Sequence, residues 1–89
     1  MRLVYTIHAE DKLKEPESKK LFITKKLLGE AILNPNTTEA LGNPMRVTSD
    51  LDSTHSLVVV YKKESGKIKV ITFFPAQKGR YESKVLRRR

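Results

Sequence analysis

The stretch from His55 to Phe74 constrains this chain more than any other, because its apolar residues run with a period of two on either side of one glycine. Leu57-Val58-Val59-Val60-Tyr61 is rich in β-branched and aromatic side chains, which pack well on a pleated surface and lose rotamer freedom in a helix. Ile68 to Phe74 answers it, and Glu64-Ser65-Gly66 stands between them with glycine where a tight hairpin needs positive φ. The pattern predicts a β-hairpin of His55–Lys63 and Lys67–Phe74, with Pro75 ending the second strand. Strict alternation puts Leu57, Val59, Tyr61, Ile71 and Phe73 on one face and Val58, Val60, Ile68 and Val70 on the other. Both faces are then apolar at mid-strand. One packs on helices; the other is partly covered or lines a cleft.

The remaining elements read from punctuation. Leu3, Val4, Tyr5 and Ile7 suit a short first strand, and Thr6 can cap a helix that ends near Glu15, before the Pro16-Glu17-Ser18 turn. Thr24 caps a second helix, with Ile23 and Leu28 at the staple positions and Leu27, Leu28, Ala31 and Ile32 forming an apolar stripe up to Asn34-Pro35. Asn36 to Pro44 reads as a connection, Arg46 to Asp52 as a strand, and Lys78-Gly79-Arg80-Tyr81 as a basic turn leading into a short edge strand through Val85. The expected class is α+β, two N-terminal helices on a twisted antiparallel sheet of about four strands, with residues 1–89 as one domain.

Charge adds the first functional signal. The net charge of +8 comes wholly from residues 62–89, where ten Lys/Arg face Glu64 and Glu82, whereas residues 1–61 carry eight of each sign. Such segregation is the footprint of a polyanion partner, and RNA is the favoured one. The absence of cysteine removes thiolate chemistry, and two histidines offer little to a metal. No cofactor is expected, no stretch has membrane-spanning length, and the expected location is the cytoplasm.

No phosphate loop, metal-ligand spacing or nucleophile elbow is present, so any chemistry must be built from His, Lys, Arg, Tyr and Thr. Those types suffice for metal-independent RNA cleavage, in which a 2′-hydroxyl attacks the adjacent phosphate with the help of a base, an acid and cations. His8 is the candidate base or acid, Arg80 the phosphate clamp, Tyr81 a stacking or proton-transfer group, and Thr72 a donor to a phosphate oxygen. Lys12, Lys62, Lys67, Lys69, Lys78, Arg80 and Lys84 are the candidate nucleic-acid contacts. Each also has a plain reading: His8 as a surface helix residue, His55 as a turn residue, Thr72 as ordinary strand composition, and the hairpin lysines as guards of a sheet edge.

His8-Ala9 followed by Lys12-Leu13, the Ile23-Thr24 helix ending Ala31-Ile32-Leu33-Asn34-Pro35, and the strand pair through Tyr61 and Ile68–Pro75 together resemble the RelE/ParE-like toxin superfamily of the barnase, EndoU, colicin and RelE fold group. The similarity is greatest to a branch that opens with a His-Ala helix motif. The resemblance implies a helical layer on a twisted antiparallel sheet, RNA cleavage free or on the ribosome, and a small acidic antitoxin as partner. It carries the motif histidine onto His8 and the strand threonine onto Thr72. Where the branch has Arg in its helix motif this chain has Lys12, a point charge in place of a bidentate fork. The rival expectations are a non-catalytic nucleic-acid-binding or regulatory domain on the same fold, and an interaction module that docks an acidic protein.

Overall fold

A computed structural model describes residues 2–40 and 44–77. Its elements run β1 (Arg2–Tyr5), α1 (Ile7–Leu13), α2 (Pro16–Lys20), α3 (Lys25–Leu33), β2 (Thr37–Ala40), β3 (Met45–Asp50), β4 (His55–Glu64) and β5 (Lys67–Gln77). The five strands form one sheet in the order β1-β5-β4-β3-β2. β1 runs parallel to β5, and every other pairing is antiparallel. The α+β class is as expected, but the sheet is mixed, because the expected first strand pairs in parallel, and it gains one strand from a stretch expected as loop. β1 crosses over to lie parallel beside β5, and Thr37–Ala40, expected as loop, pairs with β3 as an edge strand. The expected basic turn at Lys78-Gly79-Arg80-Tyr81 and the edge strand through Val85 lie outside the described residues.

Local chemistry explains the helix boundaries. Thr6 and Thr24 sit in extended geometry, and their hydroxyls accept the N–H of Ala9 and Leu27 respectively, satisfying donors that the first turn leaves unpaired. Pro16 forces Glu15 into an extended conformation and then, at the first helical position, starts α2, a short third helix where a turn was expected. Ser18 anchors it by donating its hydroxyl to the Lys12 carbonyl at 2.6 Å.

The hairpin turn closes on Ser65 and Gly66, both at positive φ (40° and 78°), between the paired residues Glu64 and Lys67. Two positive φ values make a turn whose twist matches that of the strands. Further along, the ladder slips. Val60 pairs with Thr72 but Tyr61 pairs with Val70, so Ile71 is an extra residue in β5. This bulge corrects the face assignment made by strict alternation: it brings Ile68 and Val70 round to join Leu57, Val59, Tyr61 and Phe73. These residues, with Val47, meet Ala9 of α1 and Leu28, Ala31 and Ile32 of α3 in a single buried cluster. α1 is tied to the bulge itself, since Thr6 donates its N–H to the Val70 carbonyl at 3.1 Å and its hydroxyl to the Ile71 carbonyl at 2.9 Å.

β5 continues past Pro75 to Gln77 rather than stopping before it. β1 reaches only Val70 along β5, so among the described residues no strand lies beside the later part of β5 on that side, and a proline is accommodated there. Among the described residues no helix is long and apolar enough to cross a membrane.

Candidate nucleic-acid interface

The face of the sheet turned away from α1 and α3 carries the candidate interface. Pairing register arranges its residues in rows across the strands. Arg2, Lys67 and Glu64 form the first; Val4, Lys69 and Lys62 the second; Thr72, Val60, Arg46 and Glu39 the third, beyond the bulge; and Phe74, Val58, Thr48 and Thr37 the fourth. Val58, Thr48 and Ser56 are buried there, while Val60, Thr72 and Phe74 are half-buried. The face is therefore apolar in its middle and charged toward the hairpin turn.

That charged end is unusual in its pairing. Lys62 stands directly across from Lys69, and Arg2 directly across from Lys67. Like charges opposed on neighbouring strands cost about 0.2–1 kcal/mol each relative to a neutral pair. No ion pair joins any of these four cations to an acidic residue among the described residues. In the third row, by contrast, the Arg46 guanidinium binds the Glu39 carboxylate through Nε at 3.0 Å and through its terminal nitrogen. One row balances its charges; the two beside the turn do not. With strands about 4.8 Å apart and alternate residues about 7 Å apart, the backbone positions of the four cations lie within roughly 12 Å of one another. An anion placed among them removes the repulsion and gains charge-assisted hydrogen bonds, bidentate ones from Arg2.

Three of the nucleic-acid candidates read from sequence, Lys62, Lys67 and Lys69, thus come together. Arg2 joins them, and sequence reasoning missed it because only the parallel β1–β5 pairing brings it there. Lys12 is elsewhere, on α1, with its ammonium 5.7 Å from the centre of the buried Phe73 ring on the helix side. There it covers the core. Thr72 shares the cationic face. His8 is exposed on α1, the helix that Ala9 docks into the opposite side of the sheet, and has no ion pair or hydrogen-bond partner for its ring among the described residues. The expected His8–Thr72 pairing is not assembled from one face. Lys78, Arg80, Tyr81 and Lys84 lie outside the described residues.

The second histidine is the better oriented one. His55 opens β4, and its Nδ1 lies 3.1 Å from Asp52 Oδ1 and 2.9 Å from Thr54 Oγ1. The same Asp52 oxygen accepts the backbone N–H of Thr54 and of His55, both at 2.8 Å. Hydrogen bonding, led by the Thr54 N–H, pulls the Asp52 carboxyl down to about 2. This cluster staples the β3–β4 turn, at the opposite end of the sheet from the cationic rows. Among the described residues no three His, Asp or Glu side chains converge as metal ligands would.

Comparison with protein-family models, characterised proteins and solved structures returns no match, so the argument for function stands on this geometry.

Proposed function

We propose that the chain is an RNA-binding domain that grips the phosphate backbone with Arg2, Lys62, Lys67 and Lys69. The observation that carries this reading is the stacking of two like-charge cross-strand pairs on one sheet face, where Glu64 is the one acidic neighbour in register, opposite Lys67, and no ion pair joins any of the four cations to an acidic residue among the described residues. Such an arrangement costs folding energy and becomes favourable when a polyanion fills it. Half-buried Phe74 and Thr72 on the same face support an oligonucleotide over a small anion, since a base can lie against an aromatic edge while its phosphates meet the lysines. The basic segment 78–89, with Lys78, Arg80 and Lys84, adds charge of the same sign.

The second reading is a RelE-like toxin or related metal-independent endoribonuclease, acting on RNA free or on the ribosome and restrained by a small acidic antitoxin in the cytoplasm. Thr72 favours it, because the threonine expected to meet a phosphate oxygen does share the face of Lys62 and Lys69. The separate setting of His8 weighs against it.

A labelled single-stranded RNA, titrated at several salt concentrations, tests the binding reading. Affinity is expected to fall steeply with salt, and the Lys62→Ala/Lys69→Ala double variant to flatten the log–log slope by roughly 0.7 per lysine. Affinity that does not change with salt contradicts it. Gel analysis of the same mixtures, in EDTA and with His8→Ala alongside, separates the two readings. Intact RNA leaves a binder; cleavage lost only in His8→Ala establishes the nuclease.

A further inference from the structure

Among the described residues no strand pairs with the outer edge of β1, and that edge has two unlike sides. β1 is the terminal strand of the sheet on the β5 side. Thr6 donates its N–H to Val70 of β5, and since successive residues of a strand turn their N–H and C=O to alternate sides, Leu3 and Tyr5 point theirs outward. β1 is short and carries the charge of Arg2, both of which limit edge pairing, but it has no proline or bulge along Arg2–Tyr5.

On the helix side, Leu3 borders an apolar cleft of about 120 Å³ that Gly29, Ile32, Leu33 and Ile68 close around it. Leu33 is 70% exposed on its rim. Gly29 shapes the cleft: a Cβ there would stand 3.1 Å from a Leu3 methyl, tight enough that Leu3 would have to give by a few tenths of an ångström. On the other side of the same strand lie Arg2 and, one strand in, Lys67 and Lys69.

We infer that the β1 edge is a docking site for an extended peptide segment of a partner protein in which apolar and acidic residues alternate. Paired to β1, such a segment directs alternate side chains to opposite faces. Its apolar residue beside Leu3 enters the cleft and covers Leu33, while its carboxylates meet Arg2 and the lysine row. The backbone bonds supply affinity, and the two faces supply phase: a segment slipped by one residue would set carboxylates against leucine. This site goes beyond RNA binding. It shares Arg2, Lys67 and Lys69 with the phosphate grip, so peptide and RNA compete for the chain.

The test uses the full chain and a labelled, end-capped Glu-Leu-Glu-Val-Glu-Leu-Glu peptide, with Glu-Ser-Glu-Ser-Glu-Ser-Glu as the control of equal charge. Anisotropy is expected to show binding of the first and at least about tenfold weaker binding of the second. Leu33→Glu, at an exposed position, is expected to weaken the peptide by about tenfold while leaving RNA affinity unchanged. Arg2→Glu weakens both. Bound peptide should slow hydrogen exchange at the Leu3 and Tyr5 amides, as read by NMR. Equal binding of the two peptides overturns the docking site and leaves the RNA reading standing, because it shows a charge surface indifferent to apolar phase. No binding, or binding without protection of those two amides, overturns it as well.

Discussion

The two faces of this sheet are made by the same strands and obey opposite rules. On the helix side Phe73, Val59, Leu57 and Val70 are fully buried and packed into one cluster with α1 and α3. On the other side, at the hairpin end, lysine faces lysine and arginine faces lysine. Residues adjacent in sequence therefore have opposite surroundings, one packed into the core and the next set against a like charge on the outer face. The bulge at Ile71 keeps the two sets apart, because it turns Ile68 and Val70 inward and leaves Lys67 and Lys69 outward.

The sharpest way to break this contrast is through neighbouring phenylalanines. Phe73→Ala empties a fully buried site and is expected to cost about 3–5 kcal/mol in urea unfolding, whereas Phe74→Ala, half-buried on the other face, should cost about 1–2. Similar losses would show that the faces do not differ as described.

Much of this was legible in the sequence wherever the signal is local. Thr6 and Thr24 as caps, Gly66 in the turn, and the apolar run of β4 each depend on residues within a few positions, and each forms as expected. What was not legible depends on pairing at long range. Nothing in Arg2-Leu3-Val4-Tyr5 says that it lies parallel to residues 67–70, so Arg2 escaped the site while Lys67 and Lys69 did not. The bulge hides for the same reason, because a period of two reads straight through Ile71. Lys12, a candidate phosphate contact by its charge, lies over Phe73 on the helix side, apart from the lysines of the other face.

A smaller effect separates stability from binding. Lys69→Glu turns the Lys62–Lys69 repulsion into attraction and is expected to stabilise the fold by about 0.2–1 kcal/mol while lowering RNA affinity. A variant both less stable and weaker in binding would remove the reason for regarding the lysine pair as unfavourable.

The smallest effect lies at the other end of the sheet. Asp52 titrates at about 2 when folded, below its ordinary 3.8, so its contribution is present above the ordinary value and is lost as pH falls toward 2. Asp52→Asn should flatten the acid limb of the stability curve in that window and leave RNA binding untouched. An unchanged acid limb would mean that the turn does not depend on the carboxylate.

The most direct measurement removes the same charge from two adjacent residues of β4. Lys62 stands on the cationic face and Lys63, one residue on, belongs to the helix side, in register with Ile68. Lys62→Ala should weaken single-stranded RNA binding several-fold and lower the salt slope by roughly 0.7, with Lys63→Ala close to wild type in both. Equal losses from the two variants would mean that RNA senses only total charge, and that the sheet face has no part in the interface.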